Sequence, residues 1–350
     1  MAIVVRSPNW IGDCIMSLPA LRALREYLPG EDIYLAVKEY LVDIYRNVEL
    51  IKDIIRIPNT PGFGNTLKAA GRLREFKFDS GILFTNSFQS ALLFKLGGVK
   101  DSYGYNKDAR GFLLKRKRRF PSESNLHHIY FYMNLVEMFL QEHGTGKIEK
   151  SFSDELPVSE EAKENAVTVM AELGVDVSTR NLFIGVSPSA AYGTAKQWLP
   201  ERFAELIKIL RVEMPNRPIL LFGTSKEREK ISGIINLTGL NDRNIHNLAG
   251  QLSLTQAIAA ISLCGCFISN DSGLMHVASA LRVPLAAIFG PTQPNKTAPL
   301  KEFNKNARVL YHGAECAPCL HRDCPIDHRC MTAVTVDEVL KALHSLPGMG

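Results

Sequence analysis

Cys264-Gly265-Cys266-Phe267-Ile268-Ser269-Asn270-Asp271-Ser272-Gly273-Leu274-Met275-His276 is the stretch whose reading decides the fold. Its apolar start predicts a strand, and residues 274–281 suit a helix. A second apolar run, residues 283–289, follows and ends in Gly290-Pro291-Thr292. The pattern is strand, turn, helix, strand. Helix starts expose backbone N–H groups, and the helix dipole favours an anion there. Asn270 or Asp271 is a natural N-cap, and Gly273 removes a side chain that would block a ligand's approach. The stretch therefore reads as a phosphate-binding turn, with His276 either a ligand contact or a satisfied core histidine.

The same alternation extends outward in both directions. Residues 183–186, 219–222, 266–269 and 285–289 read as strands, with helices over 202–211, 226–235, 254–261 and 274–281. Upstream, residues 3–5, 33–37, 54–57 and 81–84 read as strands, and 18–27, 40–46, 67–76 and 87–96 as helices. A longer helix over 130–142 is stopped by Gly144 and Gly146. Strands alternating with helices argue for parallel sheets covered on both faces. The predicted fold class is α/β, two Rossmann-like, doubly wound parallel-sheet domains facing a cleft. The charged, Ser-rich stretch 147–161 is the expected linker. It gives domains over 1–155 and 156–334, with a last helix in 335–350 expected to pack back on the first domain.

A chain of 350 residues exceeds one ordinary core. Hydrophobic residues at 46% and charged residues at 22% place it among soluble globular proteins. No apolar run approaches the ~18 residues that span a bilayer. The start reads as a short strand rather than a secretory leader, so a cytoplasmic protein is expected. Residues 1–150 hold 22 Lys and Arg against 16 Asp and Glu, whereas the remainder is nearly neutral. Much of that excess is Lys115-Arg116-Lys117-Arg118-Arg119, readable as a solvated loop or as a contact for an anionic substrate or membrane surface. No nucleic-acid motif accompanies it, and no nucleic-acid partner is expected.

Ligands of open α/β sheets gather at the carboxyl ends of the strands, and four turns there have suitable chemistry. In the first, Arg6 to Asp13, Asp13 is either a proton acceptor or a helix cap. The second, Ser187 to Trp198, joins small residues, including Ser189, to the point charge of Lys196. The third, Phe222-Gly223-Thr224-Ser225-Lys226-Glu227, either caps its own helix through Thr224 or Ser225 or touches a ribose. The fourth is the opening turn, with Gly290 closing the neighbouring strand. Neither a GxGxxG fingerprint nor a Walker-A sequence is present. Cys316, Cys319, Cys324 and Cys330 leave two readings open: a zinc site, or reduced structural thiols with an occasional disulfide.

With these residues in view, the chain resembles the ADP-heptose–lipopolysaccharide heptosyltransferases of glycosyltransferase family 9. Three stretches carry the resemblance: Pro8-Asn9-Trp10-Ile11-Gly12-Asp13-Cys14-Ile15-Met16-Ser17, Pro188 through Lys196-Gln197-Trp198-Leu199-Pro200, and Asn270 through Ala278 with Gly290-Pro291-Thr292. In order and spacing it runs from about residue 3 to residue 345. It implies a GT-B architecture, inverting sugar transfer, ADP-L-glycero-D-manno-heptose as donor and no required cofactor or metal. Asp13 matches the family's catalytic carboxylate and Lys196 the lysine on the donor phosphates. Asp271, Ser272, Gly273 and His276 match the donor-binding turn, and Ser189, Thr224 and Gly290 complete the candidate donor set. The implied acceptor is a Kdo–lipid A-type core at the inner face of the inner membrane. Lys115 to Arg119 would meet its headgroup, and the protein is expected to be monomeric. The chain has Ala191 and Tyr192 where some relatives carry a threonine pair, and Ser225 where some carry a glutamate.

Overall fold

The computed structural model describes residues 1–121, 125–145, 147–148, 150–179 and 182–349. Gly146, part of the predicted helix stop, and Glu149, in the predicted linker, lie outside the described residues. The chain divides into two compact units, Met1–Asp154 and Glu155–Gly350.

In the first unit β1 (Ala2–Arg6), β2 (Asp32–Lys38), β3 (Asp53–Ile57), β4 (Ser80–Leu83), β5 (Asp101–Asn106) and β6 (Arg116–Arg119) form one sheet in the order β3-β2-β1-β4-β5-β6. Every pairing is parallel. In the second unit β7 (Phe183–Ser187), β8 (Ile219–Leu221), β9 (Ile245–Asn247), β10 (Cys264–Asn270), β11 (Leu285–Ile288) and β12 (Ala307–Leu310) pair in the order β12-β11-β10-β7-β8-β9, again all parallel. The two sheets share one winding. Each begins at the centre, runs to one edge, then returns to the other side of its first strand. The crevice at that reversal lies between β1 and β4 in one sheet and between β7 and β10 in the other. It is the place where such sheets bind ligands.

The central strands were legible because both of their faces are covered, so β1, β4, β7 and β10 are apolar almost throughout. The strands β5, β6 and β9 carry too few apolar residues to announce themselves, and the short β12 is interrupted by Arg308. The clearest correction is at Arg116–Arg119, which is an exposed edge strand rather than a loop. Charge on an edge strand also blocks unwanted pairing with another sheet. Fully buried Arg110 fixes the preceding loop, donating to the Tyr105 carbonyl at 2.9 Å, Asn86 Oδ1 at 3.2 Å and Ser90 Oγ at 3.2 Å. Strand alternation splits the basic run. Arg116 pairs with Glu142 at 2.8 Å and Arg118 Nη1 donates to the Asn134 carbonyl at 3.1 Å. Lys117 and Arg119 point to the other face and have no ion pair among the described residues.

The last helix, Val336–His344, also departs from expectation. Val336, Val339, Leu340 and Leu343 are buried in the core of the second unit with Trp198, Phe203 and Ile207. The strongly one-sided apolar stripe of this helix needs a cover, and the helix Pro200–Glu213 with β11 and β12 supplies it. Its apolar stripe is taken up within the second unit. Trp198 anchors this core: it is 1% exposed, packs edge-to-face on Phe203, and donates its indole N–H to the Val334 carbonyl at 2.9 Å. Trp198→Ala is therefore expected to lower the unfolding free energy by about 3–5 kcal/mol in a urea titration. A loss under ~1 kcal/mol would contradict this anchoring role.

No helix among the described residues is long and apolar enough to cross a membrane.

Candidate active site

In the first unit the turn after β1 leads into a short helix, Ile11–Met16, with Asp13 in its first turn. Asp13 caps neither this helix, whose N-cap position is Trp10, nor the following one, Leu18–Tyr27, whose N-cap position is Ser17. The carboxylate instead faces the helix His128–Glu142, where Tyr132 donates its hydroxyl to Asp13 Oδ1 at 3.2 Å. Burial, and then the Asp13 charge, pushes the Tyr132 hydroxyl well above its ordinary range, so it remains a donor. His128 Nδ1 stands 3.9 Å from the same oxygen. The Asp13 side chain keeps 28% of its surface exposed, leaving it open to a partner from solvent. Tyr132 and His128 were not in the predicted site. Their signal was faint: two polar rings spaced i, i+4 share one face of an otherwise apolar helix.

In the second unit the two loops beside the sheet reversal converge. Lys196, in the loop after β7, places Nζ 2.7 Å from Asp271 Oδ2 after β10. Thr292 donates its hydroxyl to the same oxygen at 2.7 Å. This ion pair is largely buried, the side chains being 17% and 6% exposed. Asn270 staples the loops: its Oδ1 accepts from the Trp198 N–H at 3.0 Å and its Nδ2 donates to the Pro188 carbonyl at 2.8 Å. Ser189 Oγ is buried with no hydrogen-bond partner among the described residues. It lies in the same loop as Lys196, with its hydroxyl open to a further partner.

The helix Gly273–Ala280 starts one residue later than the expected caps. Ser272, not Asn270 or Asp271, is the N-cap residue, and its hydroxyl meets Ser269 Oγ at 3.1 Å instead of capping. Asn270 and Asp271 are drawn away by Trp198 and Lys196. Orphan N–H groups of the first turn thus have no side-chain cap, which suits an incoming anion. His276 is buried one turn inside the same helix.

Thr224 is engaged elsewhere. Its hydroxyl and backbone N–H both donate to Glu227 Oε2, at 2.8 and 2.7 Å, in a capping box. Of its two readings the structure shows the cap. Gly290 sits against Met331: a Cβ there would lie 2.1 Å from the Met331 sulfur. Its glycine is explained by this close approach to the segment carrying Cys330.

The cysteine-rich segment braces the loop after β7. Tyr192 donates its hydroxyl to the Leu320 carbonyl at 2.8 Å, and Thr194 donates to Asp323 Oδ1 at 2.7 Å. The Ala195 N–H donates to the Arg322 carbonyl at 2.9 Å. A Cβ on Gly193 would stand 2.1 Å from that carbonyl oxygen, so only glycine permits the approach. Arg322 and Lys196 both lie over the Tyr192 ring, 5.6 and 5.3 Å from its centre. No three His, Cys, Asp or Glu side chains converge as metal ligands among the described residues, so Cys316, Cys319, Cys324 and Cys330 are four free thiols here.

The sequence model of glycosyltransferase family 9 (heptosyltransferase) matches residues 66–329, three quarters of the chain. The chain belongs to this family. It is a glycosyltransferase. It is 29% identical over 362 residues to the lipopolysaccharide heptosyltransferase 2 of Escherichia coli K12, covering 99% of this chain and 98% of that protein. The solved structure of the E. coli ADP-heptose lipopolysaccharide heptosyltransferase II aligns with a TM-score of 0.83 and 28% identity, over 99% of this chain and 98% of that one. An E. coli heptosyltransferase, WaaC, solved with ADP shares the fold at a TM-score of 0.71 and 17% identity, over 97% and 98% of the two chains. The family match starts after Asp13, whereas the full-length relative reaches it.

Proposed function

We propose that this glycosyltransferase moves L-glycero-D-manno-heptose from ADP-heptose to the heptose of the inner core of lipopolysaccharide, with inversion, as a heptosyltransferase II. The observation that carries the reading is Lys196 held by Asp271 at the mouth of an uncapped helix start. That group is built to receive a diphosphate, and the full-length likeness to a heptosyltransferase 2 narrows the sugar and acceptor.

In this reading the second unit binds the donor and the first the acceptor. Asp13 takes the proton of an acceptor hydroxyl, held for the task by the Tyr132 hydroxyl. The oxygen attacks the anomeric carbon from the face opposite ADP, whose bond to that carbon breaks as the new one forms. ADP leaves with the electron pair and one more negative charge. Lys196 and the N–H groups of Ser272 and Gly273 stabilise that charge, the Asp271 N–H being given to the Ile288 carbonyl at 3.1 Å, with Ser189 and His276 around the nucleotide. One carboxylate suffices because the diphosphate departs without protonation. The two carboxylates of a glycosidase have no counterpart requirement here.

ADP release and sugar transfer from ADP-heptose to acceptors bearing none, one or two heptoses test the reading. The acceptor with one heptose should be used. Use of the heptose-free acceptor makes the chain a heptosyltransferase I, and use of the two-heptose acceptor a later core enzyme. ADP release at background with all three leaves a nucleotide-binding protein without turnover.

The acceptor is lipid-linked, so the enzyme works as a peripheral protein at the cytoplasmic face of the inner membrane. Lys117 and Arg119, on the strand face opposite Arg116 and Arg118, are the contacts with its anionic surface. Replacing both by Gln should weaken sedimentation with anionic vesicles severalfold at low salt, the difference fading above ~0.3 M as screening takes over. Equal sedimentation would return the strand to a purely edge-guarding role.

A further inference from the structure

On the carboxyl edge of the first sheet, the ends of β1, β2 and β3 and the loop after β4 line an open recess. Two cations line it, Arg6 and Lys38, together with the amide and hydroxyl groups of Asn9, Thr60, Ser87 and Gln89. No Asp or Glu is among its lining residues.

The state of Arg6 is unusual. It is 4% exposed, and its guanidinium has neutral partners alone: Nη1 donates to the Ser7 carbonyl at 2.6 Å and the Ala36 carbonyl at 3.2 Å, and Nη2 to Asn9 Oδ1 at 2.7 Å. A guanidinium has five N–H donors, so Nε and the second Nη2 hydrogen stay uncommitted among the described residues. Burial pushes the Arg6 guanidinium down to about 10. Burial, and then Arg6 itself, lowers the half-buried Lys38 ammonium. Neither cation has an ion pair among the described residues.

Buried charges in proteins are ordinarily paired, because desolvation penalises a lone ion. Two neighbouring cations without a carboxylate repel each other as well, so the recess is held against its own electrostatics. An anion entering it would relieve both penalties. Arg6 offers a planar pair of donors, Lys38 a point charge, and Asn9 and Ser87 neutral polar groups, a set suited to a phosphate or carboxylate. Asn9 belongs to the same turn as Asp13, so an anion held here would lie on the strand edge that presents the proposed base.

We propose that the Arg6–Lys38 recess binds an oxyanion of the acceptor, a phosphate monoester or a carboxylate on the sugars beside the reacting heptose. This rests on the heptosyltransferase reading above for the identity of the acceptor, not for the existence of the site. It places a specificity determinant apart from the basic strand.

The test uses the full chain saturated with ADP, so that the donor turn is occupied. Inorganic phosphate is titrated in while the emission of half-exposed Trp10, in the adjoining turn, is followed. Saturable binding is expected, weakened at least tenfold in Lys38→Gln, whose side chain is exposed enough to be replaced without unfolding. Thermal melting and ADP affinity confirm that the variant is intact. Arg6→Met, which also removes bonds to two backbone carbonyls, is a second variant and not the deciding one. In the kinetic arm, intact, dephosphorylated and carboxyl-reduced acceptors are compared. The stripped acceptor lacking the bound group should show a KM at least tenfold higher with the wild type. Lys38→Gln should treat intact and stripped acceptors alike. The acceptor that loses affinity tells phosphate from carboxylate. Phosphate binding identical in wild type and Lys38→Gln, or discrimination between acceptors retained in the variant, overturns the proposal. Absence of turnover with every acceptor strikes the heptosyltransferase reading instead, and the phosphate titration then decides the recess alone.

Discussion

Asp13→Asn should lower turnover at least ~100-fold while ADP binds as before, since a general base typically contributes 10²–10⁴. The substitution is nearly isosteric and keeps an acceptor oxygen for the Tyr132 hydroxyl, 3.2 Å away in the parent chain. Folding should therefore be spared, and the lost charge is the variable that matters. Tyr132→Phe supplies the graded control. It leaves the carboxylate in place but removes the donor that fixes it, for an expected loss of roughly tenfold, the equivalent of about 1.4 kcal/mol. Steady-state transfer rates and equilibrium ADP binding are the two measurements. Near-normal turnover in Asp13→Asn would remove Asp13 from the chemistry and leave His128 as the nearest group to examine.

Lys196→Met should act on both stability and rate. Its ammonium is the partner of a carboxylate only 6% exposed, which would keep the Thr292 hydroxyl but lose its cation. Removing one member of a buried pair costs about 3–5 kcal/mol, because the surviving charge stays desolvated. Loss of a preorganised donor to the leaving diphosphate should add a fall of ~100- to 1,000-fold in kcat. The two effects separate in the double variant Lys196→Met/Asp271→Asn. Neutralising the orphaned carboxylate should recover most of the melting temperature and none of the turnover. Recovery of turnover would mean that Lys196 acts only by neutralising the Asp271 charge, not by meeting the phosphates. Unchanged ADP affinity and rate in the single variant would take Lys196 out of the donor site.

The readable parts of the site are those whose residues lie close in sequence and whose chemistry is local. The Asp271–His276 turn was visible because a strand delivers it and a helix leaves it within a dozen residues. Its capping was misjudged for the complementary reason. Asn270 is a good cap by propensity, but the Trp198 N–H, 72 residues away, claims its oxygen, and Lys196 claims Asp271. Tyr132 lies 119 residues from Asp13, so nothing near either residue announces their hydrogen bond. The basic run was read by composition, and its parallel register with β5 then divided it into paired and unpaired faces. Arg6 drew no notice as a single cation at the end of a strand. Its lack of a counter-charge appears only once β2 brings Lys38 beside it.

By itself the sequence determined the doubly wound α/β class, the family, and the turns that carry Asp13, Lys196 and Asp271. Buried parallel strands must be apolar on both faces, and ligand turns must follow them, so both leave local patterns. The tertiary structure alone decided which turns meet. It moved the last helix into the core of the second unit, set the cysteine-rich segment against Tyr192, Gly193 and Thr194, and left Arg6 and Lys38 with no acidic partner among the described residues. Each of these depends on pairings across tens to more than a hundred residues, where burial and charge are set by neighbours that the local sequence does not name.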